Sequence, residues 1–142
     1  MWFLSHSNSS GGPAAFSGAV ENAASYTVTL YKGKFNLFGN AYPVAVKLND
    51  LANIDWSACT SGGAFANSDQ IWIWEPSDGS YEKWYWYADD SHAYDGWYDE
   101  FTGEIPFETT HPDGLVAGTP VWFLATGAAG STFDVTFKSP LK

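Results

Sequence analysis

The stretch IWIWEPSDGSYEKWYWYADD, residues 71–90, carries seven Trp or Tyr side chains among twenty residues, arranged on both sides of an obvious turn. Glu75-Pro76-Ser77-Asp78-Gly79-Ser80 supplies that turn, and Asp-Gly is its strongest signal, because glycine reaches positive φ without cost. The flanks therefore read as two antiparallel strands. Side chains alternate between faces along a strand, so Ile71 and Ile73 share one face of the first strand and Trp72 and Trp74 the other. On the second strand Trp84 and Trp86 oppose Tyr85 and Tyr87. Neither face is polar. A strand covered on one side only alternates apolar with polar residues, so the hairpin is expected mid-sheet, covered on both faces or half covered and half used, with Trp72 or Trp74 largely buried.

Similar segments recur outward from this hairpin. Residues 26–31 (YTVTLY), 34–39 (KFNLFG), 95–101 (DGWYDEF), 120–126 (PVWFLAT) and 132–138 (TFDVTFK) are short, rich in β-branched and aromatic residues, and separated by Gly, Ser and Asn. This pattern predicts an all-β fold, an antiparallel two-sheet β-sandwich or a sandwich-like barrel. At most one short helix is expected, at LNDLANIDW (48–56), where Leu48, Leu51 and Ala52 have one turn of helical spacing.

The bulk composition bounds the function. The chain has 142 residues, 18% of them aromatic and 45% hydrophobic, which suits one domain with a real core. Its net charge is −10 and it contains no arginine. Nucleic-acid affinity comes largely from basic residues neutralising phosphate, so nucleic acid is excluded as a partner, and anionic membrane surfaces are disfavoured for the same reason. No apolar run approaches the ~20 residues of a membrane-spanning helix. The start, MWFLSHSNSS, lacks the basic region and the long apolar run of a signal peptide. The single cysteine, Cys59, has no partner motif and reads as a small buried or half-buried thiol.

The two ends resemble each other. WFL occurs at 2–4 and again at 122–124, each time followed by a small-residue stretch and then a short apolar segment ending near a Phe. Residues 1–20 thus read as an extra copy of the final hairpin, and 21–142 as the all-β domain. An extra hairpin either pairs inside its own domain or completes the sheet of another copy. In the second case Trp2, Phe3, Leu4 and Phe16 are the assembly contacts.

KFNLFGNAYPVAVKLNDL (34–51), the Trp-rich hairpin at 70–87, Gly-Trp-Tyr-Asp at 96–99 and the Gly-x-x-hydrophobic-Trp-Phe hairpin at 118–123 occur in an order that resembles the aromatic-rich β-repeat modules of large bacterial extracellular proteins. The resemblance covers roughly residues 34–138. It implies a β-rich domain on or outside a bacterial cell and brings no catalytic residues with it. These modules usually form long tandem arrays, whereas this chain holds one module and a fragment.

Three site chemistries follow from residue type. Trp and Tyr stack on sugar rings, which makes Trp84, Trp86, Trp97 and Tyr98, with Tyr85 and Tyr87, the carbohydrate candidates; the competing reading is that they are core or interface. The acidic loop at 88–100 offers Asp89, Asp90, Asp95 and Asp99 as oxygen ligands for calcium, the one cofactor these residue types suggest, although the spacing fails the EF-hand pattern. Catalysis has little to work with. His6, His92 and His111 have no zinc spacing, there is no nucleophile elbow, and a pair such as Asp99 and Glu104 is ordinary in an acidic chain. The sequence therefore points to a non-enzymatic structural protein at the cell surface whose partners are other copies of itself. A carbohydrate-binding module is the alternative.

Overall fold

Among the described residues, aromatic and β-branched side chains place eight short strands in two antiparallel sheets. The computed structural model describes residues 23–141. The strands are β1 (Ser25–Tyr31), β2 (Lys34–Gly39), β3 (Ile54–Asp55), β4 (Gln70–Glu75), β5 (Ser80–Tyr87), β6 (Gly96–Asp99), β7 (Pro120–Ala125) and β8 (Thr132–Lys138). Three form one sheet in the order β1-β8-β3, and five form the other in the order β2-β7-β4-β5-β6. The fold is all-β, as the sequence predicts. Among the described residues, helix is confined to a 3₁₀ turn at Phe65–Asn67 and one α-turn, α1 (Phe107–Thr110).

The helix expected at 48–56 does not form. Residues 47–54 are a chain of turns, with Asp50 N–H donating to Lys47 C=O and Ile54 N–H to Asp50 C=O. Side chains override the local spacing here. Leu48 and Trp56 are drawn into the core, and the Asn49 Oδ1 accepts the Trp97 N–H at 2.6 Å.

The core lies between the sheets. From the small sheet Leu30, Val135, Phe137 and Ile54 point inward. From the large sheet Ile71, Trp84, Trp86, Trp97, Val121 and Phe123 meet them. Trp56 stands between the layers. Its ring contacts Trp97 edge-on at 5.1 Å, Phe137 at 5.7 Å and Phe123 at 6.3 Å, and its Nε1 donates to Leu48 C=O at 2.7 Å. Burial of these large rings is the main favourable term available to a domain of this kind.

The residues of the FNLFGN motif act as brackets. Asn40 is buried, donates from Nδ2 to Val44 C=O (2.7 Å) and Leu115 C=O (2.9 Å), and accepts the Tyr42 N–H at Oδ1. The Tyr42 hydroxyl donates to Phe137 C=O at 3.1 Å, tying the segment to the opposite sheet. Asn36 accepts the Tyr31 N–H and donates back to Tyr31 C=O, which fixes the corner between β1 and β2. Buried polar side chains are affordable when their bonds are complete, so the motif is explained by architecture.

Candidate functional site: the outer aromatic face

The opening hairpin is mid-sheet, with β4 flanked by β5 and β7. Its turn is the expected one: Gly79 has φ +70°, and Asp78 Oδ1 accepts the Ser80 N–H at 3.0 Å. The side predicted to be buried is wrong, however. Ile71 and Ile73 take the inner face, so Trp72 and Trp74 point away from the core. Trp74 is exposed and Trp72 is half-buried.

Register makes this outward side continuous. Trp72 lies opposite Lys83 on β5 and Trp122 on β7, and Leu37 on β2 lies opposite Trp122 in turn. Phe35 and Leu124 are paired one step along, and Trp74 and Tyr81 are paired on the hairpin. Phe35, Leu37, Trp74 and Tyr81 retain 45%, 41%, 46% and 38% exposure. Phe35, Trp72, Tyr81 and Trp122 enclose a shallow depression of about 240 Å³. Their rings interlock. Phe35 is edge-on to Trp72 (5.1 Å, 77°) and to Trp122 (6.3 Å, 86°), and Tyr81 is tilted against Trp72 at 54°. Lys83 lies 5.0 Å over the Trp72 ring and pairs with Glu100 at 3.2 Å.

The carbohydrate candidates fare differently. Trp84, Trp86 and Trp97 are 4%, 3% and 0% exposed and belong to the core, which corrects their assignment as a stacking platform. A sugar has no access to their faces. They occupy inward positions of β5 and β6, and the Tyr residues between them take the outward ones. Tyr98 is half-exposed, and with Tyr85, Tyr87 and Tyr94 it lines a second depression at the other end of the same sheet face.

Three of the four aspartates hold turns. Asp89 Oδ1 accepts the N–H of Ser91 (2.8 Å) and of His92 (3.1 Å) and the Ser91 hydroxyl (2.6 Å). Asp95 bonds the Asp89 N–H at Oδ1 and the exposed His92 ring at Oδ2 (2.8 Å). Asp90 is exposed. Asp99 closes a separate turn, accepting the N–H groups of Phe101, Thr102 and Ile105 and the Thr102 hydroxyl. Partial burial pushes its carboxyl up, but these donors outweigh it and hold the pKa down to about 2. Among the described residues, no group of three or more His, Cys, Asp or Glu is arranged to hold a metal ion.

His111 Nε2 is 2.6 Å from Glu82 Oε2, with its ring stacked on Phe107 at 4.5 Å. Asp99 and Glu104 share the 99–105 turn, where Glu104 N–H donates to Thr102 Oγ1. Trp2, Phe3, Leu4 and Phe16 lie outside the described residues.

No family model, curated protein or solved structure matches the chain. The outer aromatic face is absent from the sequence-level site assignment because it depends on sheet order. The pairing of Trp72 with Trp74 was visible; that β7 and β2 would lie beside them was not.

Proposed function

We propose that this domain is a non-enzymatic structural module of a bacterial extracellular or cell-surface assembly, held to other copies of itself by aromatic and β-strand contacts. The observation that carries this reading is the outer aromatic face. Isolated exposed apolar residues need no explanation, but a contiguous set on one face marks a contact surface. A second copy would meet this face where the charge opposing it is least. Two molecules of net charge −10 repel, and the Phe35–Trp72–Trp74–Trp122 region meets least of that repulsion, since Lys83 is the one charge set among its outward ladder positions and is already paired with Glu100. The interlocked, edge-on rings also differ from the flat platform that sugar stacking requires.

The strand component rests on the edges. Among the described residues β1 and β3 are the edges of the small sheet and β2 and β6 those of the large one, and edge strands are templates for pairing. Residues 1–20, with their likeness to the final hairpin, are the proposed donor. Deleting 1–20 is expected to leave a folded monomer that no longer assembles, and the added peptide is expected to cap growing ends. A deleted chain that fails to fold at any concentration would assign the segment to its own core.

The aromatic component is tested by sedimentation. The intact protein is expected to form oligomers that grow with concentration, and Phe35→Ser with Trp74→Ser to return them to monomer. Because each ring is about half covered and touches neighbouring rings, each substitution is expected to cost about 1–2 kcal/mol of folding stability, which leaves the domain folded. An intact protein that remains monomeric at every concentration refutes the assembly reading.

A further inference from the structure

We propose that the tyrosine-walled depression at the β5–β6 end of the outer face binds an organic cation with a methylated, quaternary ammonium head. The depression has a volume of about 330 Å³ and is lined by Tyr85, Tyr87, Tyr94, Tyr98 and Gly103, within the ~300–1,000 Å³ usual for small-ligand sites. Its rings are set at angles, as a cage requires. Tyr87 and Tyr98 are perpendicular (84°) with centroids 6.0 Å apart. Tyr85 is the buried floor, backed edge-on by Phe65 at 6.2 Å. The Tyr98 hydroxyl donates to Tyr94 C=O at 2.9 Å, tying one wall to the loop that carries the next. Gly103, with φ +67°, keeps the floor open, because a side chain there would collide with the Tyr85 hydroxyl.

The chemistry favours a cation over a sugar. Ring faces carry negative quadrupole potential and attract cations. Asp89 is hydrogen-bonded to the Tyr87 hydroxyl, the charges of Asp95 and Asp99 also reach the lining tyrosines, and no lysine lines the site. Their field is felt by the tyrosines: the Asp89 charge chiefly raises the Tyr87 hydroxyl pKa, and burial followed by Asp99 raises that of Tyr85. A sugar would need directional hydrogen bonds. The Tyr87 hydroxyl is already bonded to Asp89 (3.3 Å), the Tyr98 hydroxyl to Tyr94, and the aspartate oxygens to turn N–H groups. Carboxylates engaged in this way keep their charge, which acts through space on a cation. A primary ammonium is strongly hydrated and loses that hydration on entering a ring-walled site, whereas a methylated one needs no hydrogen-bond acceptor.

The test is calorimetric titration of the intact protein at physiological ionic strength with choline and tetramethylammonium, against the neutral isostere 3,3-dimethylbutan-1-ol and against neutral oligosaccharides. The expected result is saturable one-site binding of both cations and none of the isostere. Tyr94→Ala, at a side chain 67% exposed, leaves the fold intact, and with Tyr98→Leu it is expected to weaken choline by roughly threefold per ring, the scale of one exposed cation–π contact. Equal binding of the isostere, choline affinity unchanged in both variants, oligosaccharide binding without choline binding, or no saturation would each overturn the proposal. None of these outcomes bears on assembly, which is read by sedimentation.

Discussion

Trp56→Ala is expected to produce the largest loss of stability of any single aromatic substitution, about 4–6 kcal/mol, and to lower the thermal midpoint by roughly 10–20 °C. Truncating a fully buried Trp ordinarily costs ~3–5 kcal/mol. Trp56 is 1% exposed and touches Trp86, Trp97, Phe123 and Phe137, so its removal opens a void bounded by both sheets. It also strands the Leu48 carbonyl, which accepts its Nε1–H at 2.7 Å, and an unpaired buried acceptor adds ~1–3 kcal/mol. Trp56→Phe separates the two contributions. It keeps most of the apolar contact and loses the donor, so about 2 kcal/mol is expected. Denaturant unfolding of both variants checks this. A loss below ~2 kcal/mol for the alanine variant would mean that the layers close over the void, and that the Trp56 cluster is not what joins them.

Which parts of this arrangement could be read from residues alone follows a physical division. Local signals carried through: the β-branched and aromatic segments became strands at nearly the predicted bounds, and Asp78-Gly79 became the turn. Long-range pairing did not. Ile71/Ile73 and Trp72/Trp74 are both apolar pairs, so periodicity could not say which faces the core; that is decided by Val121 and Phe123 on a strand some fifty residues later in the chain. The same ambiguity misassigned Trp84, Trp86 and Trp97. A ring suited to stacking on a sugar is equally suited to packing on another ring, and composition does not report access. Residues 48–56 have helical spacing, yet Asn49 is worth more bracketing Trp97 than capping a helix, because it satisfies the backbone of a buried strand. Tyr94 was missed for a different reason: it lies in a loop with no periodicity, and only the Tyr98–Tyr94 hydrogen bond places it beside the strand tyrosines.

The second large effect is expected at Asp69, and the sign of its conservative substitution carries the argument. Asp69 is 0% exposed. Its Oδ1 accepts the Thr126 N–H and hydroxyl, both at 2.7 Å, and its Oδ2 accepts the Thr60 N–H at 2.9 Å. Its own backbone takes the Trp86 N–H at 2.9 Å. One carboxylate thus joins the end of β7, the loop before β4 and the start of the aromatic hairpin. Burying a charge is expensive, and removing a buried ionic group can even stabilise a protein when its partners are apolar or replaceable. Here the partners are two backbone N–H groups and a hydroxyl with nowhere else to turn, and hydrogen bonds to a charged acceptor are worth ~1.5–3 kcal/mol each. Asp69→Ala is therefore expected to cost about 3–5 kcal/mol. Asp69→Asn keeps the shape and one acceptor but sets an NH₂ group against an N–H, and about 2 kcal/mol is expected. A second readout is nearby. Burial, and after it the Asp69 charge, pushes the Cys59 thiol well above its ordinary pKa. In Asp69→Asn the burial remains and the charge is gone, so thiol alkylation at fixed pH should quicken even in the folded protein. Unchanged or increased stability of Asp69→Asn, measured by denaturant unfolding, would show that desolvation outweighs the three bonds and that Asp69 persists for some reason other than holding the sheets in place.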